Sequence, residues 1–506
     1  MSDSSIFAFD DPADAQRLWF RDPLHAPRAL PPLNAAFWGR FSGLANRLEP
    51  RTIHGFVYFS PLSVPRTAPP PLPHGQAAEN WRTLYLPAVE RAYEAILAPD
   101  YAALTALELV TLFADQLAQA VPAMANTIVA AVELSPDAER LANLLESRLG
   151  DEGPLLSATI LHGGDSETAS LGRGVRQLAD AARDSAGVPA LLAESRFEAA
   201  LASTAEPWAG ALRSFLSDHT DEIALWSEIH LPAWNEDPVP LLRLVAATLN
   251  SPERDASTSA EDAVATVRAR LAPEDIPEFE AALALSRDYV PVIEHRARWQ
   301  LKLLGSFRRP LLALGGKLVA LGVVAVPDDV FFLNPDELER AAAGEDMRSR
   351  VAGRRAQWQE DLALDPPLLL GVPVPWEMLG ALDPMLKRIF GAVRVAAPSQ
   401  AVVTGIAARK GLARGPARVV RSLGEAEDLQ DGDVLVCITT SPPWTPYFAV
   451  VSAVVTDSGG VLSHAAIEAR EYGIPAVVGT RDATRRIPEG AIVTVDGAAG
   501  TVTIEG

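Results

Sequence analysis

Two periods of apolar residues divide the chain. Between Ala77 and Leu149, Trp81, Leu84, Val89, Tyr93 and Ile96 are spaced for one helical face. Leu104 to Val132 continues at similar intervals, which predicts helices packed on helices. Within this stretch Ser135-Pro136-Asp137-Ala138-Glu139 reads as a helix start with proline in the first turn, and Gly150-Asp151-Glu152-Gly153-Pro154 as the end of that helix. Glu274 to Leu321 predicts a long helical stretch, and Met347 to Leu364 an arginine-rich helix. Residues 1–75 behave differently. Proline at their density breaks any single long helix, so they predict a packed, aromatic lead-in with a strand near 54–60, followed by an extended connector from Pro65 to Pro73.

Near the C-terminus the helical period gives way. Val450 to Val455 is a β-branched run suited to a buried strand, and Gly459-Gly460 then lets the backbone turn through conformations that other residues avoid. Ser463 is a good N-cap, and Ala465 to Arg470 continues as helix until Gly473, which suits the left-handed position after a helix end. His464 therefore falls in the first turn. Unsatisfied N–H groups and a partial positive charge at a helix start favour an anion and disfavour a second positive charge on the imidazole. That is the setting for a neutral nucleophile, and a phosphoryl group on His464 would gain hydrogen bonds there and from Ser463.

The motif is longer than a helix cap needs. Gly459-Gly460-Val461-Leu462-Ser463-His464-Ala465-Ala466, Ala469-Arg470-Glu471 and Gly473-Ile474-Pro475-Ala476-Val477-Val478-Gly479 resemble the swivelling phosphohistidine domain of phosphoenolpyruvate synthase, pyruvate phosphate dikinase and rifampicin phosphotransferase. Thr439-Thr440-Ser441-Pro442-Pro443-Trp444-Thr445-Pro446 matches the loop before the motif strand, and its hydroxyls are candidates to reach the phosphate. Upstream, His162-Gly163-Gly164-Asp165, Phe215 to His219, Trp234 to Pro238, Ser286 to Tyr289 and Val326 to Leu338 resemble the substrate domain of rifampicin phosphotransferase. Arg287 and Tyr289 match that family's Arg-Glu-Tyr-Pro-Lys segment, whereas Pro291 stands where its lysine would be.

The resemblance implies a multidomain chain. A mostly α-helical substrate-binding domain spans 1–395, a linker 396–402, and a C-terminal α/β swivelling phosphohistidine domain 403–506. It also implies that His464 and Ser463 act in catalysis with Arg287, whose charge would stabilise the transferring oxygens. Gly459, Gly460, Thr440, Ser441, His219, Glu222, His295 and Trp38 are the candidate substrate-binding residues. One of His219, Glu222 or His295 would take a hydroxyl proton, and Trp19, Trp38 and Trp81 would line a pocket.

Composition narrows the partners. The 506 residues carry a net charge of −21, which argues against nucleic acid or an anionic membrane surface. Lysine is confined to Lys302, Lys317, Lys387 and Lys410, so arginine supplies most positive charge. The single Cys437 lies in an apolar run and reads as a buried thiol, and the N-terminus lacks a basic leader, which predicts a cytoplasmic protein. No metal cluster is expected. Neither an ATP-grasp pattern nor a phosphoenolpyruvate-handling barrel is read in the sequence, so this chain is expected to bind no cofactor itself and to meet ATP and Mg²⁺ through a separate ATP-grasp subunit. The first reading is a carrier-and-acceptor phosphotransferase component acting on a hydroxyl of an apolar small molecule. The alternative is an ATP-independent dehydratase, cyclase or isomerase using His464 as general acid and base.

Overall fold

The structure, a computed structural model, describes residues 6–9, 11–23, 25–46, 48–61, 72–161, 167–223, 225–250, 260–364, 366–372, 401–421, 425–440, 442–460 and 463–505. Two compact units share the chain. The first comprises Met1–Glu133, Asp221–Pro232 and Arg296–Pro375, and the second Leu134–Thr220, Ala233–His295 and Trp376–Gly506. Ser441, Gly163-Gly164, most of the proline connector and the linker up to residue 400 lie outside the described residues. Among the described residues no helix is long and apolar enough to cross a membrane.

In the first unit, strands β1 (Leu18–Arg21), β2 (Leu48–Ile53), β3 (Phe56–Pro61) and β4 (Leu369–Gly371) form an antiparallel sheet in the order β2-β3-β1-β4. His54 and Gly55, at φ 50° and 73°, make the two-residue turn that joins β2 to β3, a backbone twist that suits a hairpin. Trp19, Phe20, Phe56, Tyr58 and Phe59 are buried, which packs the aromatic lead-in as the sequence leads one to expect. Helices Pro32–Asn46, Leu86–Leu97, Arg308–Ala320 and Arg348–Asp361 belong to this unit, with the C-terminal part of Ile276–Ser306 and the N-terminal part of Ala106–Leu149.

Where the sequence predicts a helix start at Ser135-Pro136, the helix instead runs unbroken from Ala106 to Leu149. Leu109, Phe113 and Met124 are buried before that point and Leu134, Leu141 and Leu145 after it, so one apolar stripe continues across it. Burial of that stripe outweighs the loss of one backbone hydrogen bond at the proline.

The second unit holds an eight-stranded mixed sheet: β5 (Val402–Thr404), β6 (Ile406–Arg409), β7 (Leu412–Val420), β8 (Val434–Cys437), β9 (Ala453–Thr456), β10 (Ala476–Val478), β11 (Ile492–Asp496) and β12 (Thr501–Ile504). The order is β5-β12-β11-β7-β8-β9-β10-β6, with β7 through β10 parallel. Strands β8, β9 and β10 are buried at every residue, as parallel strands covered on both faces must be. Their side chains alternate: Val434, Val436, Ala453 and Val455 join one core, and Leu435, Cys437 and Val454 the other. β9 begins three residues later than the apolar run suggests, because the N–H groups of Val450 and Val451 both turn back to the Tyr447 carbonyl. Cys437 is fully buried, and loss of water pushes its thiol well above the ordinary range.

The core that contains Leu435 and Val454 also contains Leu171, Val175 and Leu178 of helix Glu167–Arg183 and Leu242 and Val245 of helix Val239–Asn250. One face of the sheet is thus closed by helices drawn from far upstream.

Candidate functional site

After β9 the chain turns through Asp457, Ser458, Gly459 and Gly460 into the helix His464–Glu471. Asp457 anchors the turn: its carboxylate accepts from the Thr484 N–H at 3.0 Å and from the Thr484 hydroxyl, while its own N–H donates to the Cys437 carbonyl at 3.0 Å. Burial raises the Asp457 pKa against the opposing effect of those hydrogen bonds. Gly459 sits at φ 112°, and a β carbon there would stand 2.8 Å from Ser463 Oγ, so only glycine fits. Ser463 is extended at φ −69° and ψ 157°, its N–H donates to the Gly460 carbonyl at 2.9 Å, and its hydroxyl accepts from the Ala466 N–H at 3.4 Å. Gly473, at φ 67°, closes the helix: its N–H reaches the Arg470 carbonyl at 3.1 Å, and Ile474 N–H reaches that of Ala469 at 2.9 Å.

His464 is the first residue of this capped helix. Its Nδ1 lies 2.8 Å from Thr440 Oγ1 and its Nε2 3.2 Å from Thr445 Oγ1. Both threonines are buried, and Phe448 stands edge-on to the imidazole at 6.2 Å. A neutral ring has one N–H and one lone pair, and each hydroxyl can donate or accept, so the pair satisfies either tautomer. Loss of water around the part-buried ring pulls its pKa down to about 3. The imidazole is neutral at physiological pH.

Helix Glu167–Arg183 closes over this arrangement at one point. A β carbon on Gly172 would stand 2.3 Å from Tyr472 Oη and 3.4 Å from Thr445 Cγ2, so the glycine admits both side chains against the helix. Gly172 and Tyr472 were not among the residues the sequence pointed to. The signal was there in Leu171-Gly172-Arg173-Gly174, two glycines inside a helical period, where a close approach is the usual reason.

Other candidates lie elsewhere. His219 caps the end of helix Trp208–Asp218, its ring 4.4 Å from Phe215 and 6.1 Å from Trp234. Arg287 and His295 lie on helix Ile276–Ser306, Arg287 exposed and close enough to Glu280 to help hold that carboxylate low. These three belong to the same unit as His464, but the imidazole nitrogens are met by threonines. Glu222 and Trp38 belong to the first unit, where Glu222 pairs with Arg298 and Trp38 is 2% exposed. Trp19 and Trp81 are buried in the same unit. Gly460 has open space where a β carbon would be.

Residues 429–500 match the family model of the PEP-utilising enzyme mobile domain, and residues 119–294 match that of the rifampicin phosphotransferase fourth domain. The chain resembles the PEP-utilising phosphotransferases. Rifampicin phosphotransferase of Streptomyces sviceus is 34% identical over 199 residues, which are 39% of this chain and 21% of that protein. The uncharacterised phosphotransferase YvkC of Bacillus subtilis is 41% identical over 196 residues, 38% of this chain and 23% of its own length. Chondramide synthase cmdD of Chondromyces crocatus is 32% identical over 393 residues, covering 72% of this chain and 10% of that protein. The matches thus span less than a quarter of each of these relatives. Gly172 falls in one matched segment and Tyr472 in the other, so the Gly172 contact joins the two.

Proposed function

We propose that His464 carries a phosphoryl group between a nucleotide donor and a small-molecule hydroxyl. The observation that carries this reading is a neutral imidazole at a capped helix start, with Thr440 2.8 Å from Nδ1 and Thr445 3.2 Å from Nε2. This reading takes the tautomer with Nδ1–H donating to Thr440, which leaves the Nε2 lone pair as nucleophile. Nε2 attacks the terminal phosphorus of ATP, the bond to ADP breaks, and ADP leaves. The acceptor oxygen then attacks that phosphorus, the P–N bond breaks, and a base takes the hydroxyl proton. ATP with Mg²⁺ is supplied by an ATP-grasp module outside this chain. The acceptor is an apolar small molecule bound by the helical part of the chain, in keeping with the rifampicin phosphotransferase likeness.

A proton-shuttling role for His464 is poorly served by this site. General acid and base catalysis works best with a pKa near the working pH, and a ring at about 3 is both a weak base and almost never an acid at pH 7. Nucleophilic attack needs only the lone pair.

The test is intact-mass spectrometry at alkaline pH, where phosphohistidine survives, on the protein incubated with ATP, Mg²⁺ and an ATP-grasp partner. A single added phosphoryl mass is expected, absent from His464→Ala. Failure of every supplied donor to modify the wild-type protein, with turnover of a substrate still dependent on His464, would remove the relay.

A further inference from the structure

We propose that Thr445 is a latch on the reacting nitrogen of His464, closed by its hydroxyl on Nε2 and backed by helix Glu167–Arg183. This rests on the reading of His464 as a nucleophile through Nε2. Thr445 Oγ1 lies 3.2 Å from Nε2, and Thr445 is fully buried. With the ring proton on Nδ1, Nε2 only accepts, so the Thr445 hydroxyl donates and the lone pair that would attack phosphorus is already engaged. Among the described residues that hydroxyl has no other hydrogen bond. A phosphorus bonded to Nε2 must come well inside a hydrogen-bond distance on that side of the ring, and its oxygens then need the space that Oγ1 fills. The nitrogen cannot hold both.

Turning the side chain alone does not open the latch. Threonine is branched at Cβ and stiff at χ1, and rotation away from Nε2 takes a buried hydroxyl off its one partner. The methyl group is backed as well: a β carbon on Gly172 would stand 3.4 Å from Thr445 Cγ2 and 2.3 Å from Tyr472 Oη, so the helix backbone meets both side chains there. Phe448 touches the same group, its ring 6.2 Å from that of His464 and 6.1 Å from that of Tyr472. Interiors packed this closely give way by moving whole elements. For Nε2 to bond phosphorus, the segment Pro442–Ala449 that carries Thr445 must therefore draw away from helix Glu167–Arg183. All these residues belong to the second unit, so a phosphoryl group on Nε2 and closure of this helix compete within it.

The test is phosphorylation of the full chain by phosphoramidate, a small donor that needs no nucleotide-binding partner, so the latch and the ATP relay can fail separately. The Nε2 lone pair forms the new P–N bond. The donor's own P–N bond breaks, its electron pair goes to nitrogen, and ammonia leaves with the protons it already bore. Uptake is followed by intact mass at alkaline pH, with His464→Ala as the blank. Thr445→Ala is expected to take up phosphoryl roughly fivefold faster than the wild type, the worth of one hydrogen bond, with Thr445→Ser between the two. Should Thr445→Ala fold poorly by circular dichroism, hydrogen exchange of the wild-type protein decides: charging must speed amide exchange in helix Glu167–Arg183 and in Pro442–Ala449. Equal or slower uptake in Thr445→Ala, or exchange unchanged by charging, overturns the latch and leaves the relay standing. No uptake at His464 in either protein overturns both.

Discussion

Two histidines, His464 in the second unit and His230 in the first, are both held at about 3 by loss of water, yet their surroundings differ. At His464 that loss is the whole cause, and both ring nitrogens face hydroxyls, which can switch between giving and taking a proton. At His230 the charges of Arg28, Arg308 and Arg355 add to it, and Nδ1 faces the Asn34 amide nitrogen at 2.8 Å, which only donates. A neutral ring alone therefore does not tell the two sites apart. What separates the two regions is a helix start and a pair of reversible hydroxyls at one, and a fixed amide among cations at the other.

The comparison is broken most sharply at the threonines. Thr440→Val should lower the rate of phosphoryl uptake by roughly 10- to 100-fold, because Nδ1–H then loses its acceptor and the ring its orientation. Asn34→Ala, which removes the partner of His230, should leave uptake unchanged. Radiolabel transfer from ATP measures both, and equal losses would erase the distinction.

Gly172→Val comes next. With 2.3 Å between its β carbon and Tyr472 Oη, the substitution overpacks the join between helix Glu167–Arg183 and the histidine helix. A loss of about 1–3 kcal/mol in denaturant unfolding is expected. An unchanged midpoint would mean that this contact is not made in solution.

The pH dependence of stability sharpens the contrast further. Both rings bind a proton readily in the unfolded chain, at an ordinary value of 6.5, and resist it in the folded one down to about 3. Below 6.5 the unfolded state takes up more protons, so this contribution is full above 6.5 and is lost progressively as pH falls towards 3. Urea midpoints at pH 7.5 and 5 should fall for the wild type and fall less for His464→Gln and for His230→Gln. A fall that neither variant reduces would place the proton uptake elsewhere. The smallest effect belongs to the cap: Ser463→Ala should cost about 1 kcal/mol, read from the same urea midpoints.

What the sequence made legible follows the distance over which the chain acts. Gly459, Ser463, His464 and Gly473 lie within fifteen residues, and each is explained by a local demand, a positive φ or an orphan N–H, that a single residue type meets. Thr440 came into view through its resemblance to the loop before the motif strand. The contact of Gly172 with Tyr472 joins residues 300 apart, and only a helical glycine hinted at it. Pro136 misled because the local rule for proline yielded to an apolar stripe continued on both sides of it.

The N-terminal sheet has a consequence for how the chain is made. β1 lies between β3 and β4, and its pairing with β4 sets Leu18 against Gly371. On the ribosome, β1, β2 and β3 can form their hairpin-based sheet early, but the outer edge of β1 waits for roughly 350 further residues, on the order of 20–70 s at 5–20 residues per second. For that interval Leu18, Trp19 and Phe20 present an unpaired, apolar strand edge to every neighbouring nascent chain, the arrangement most prone to wrong pairing. Crowded synthesis is the condition that leaves this edge most open to wrong pairing.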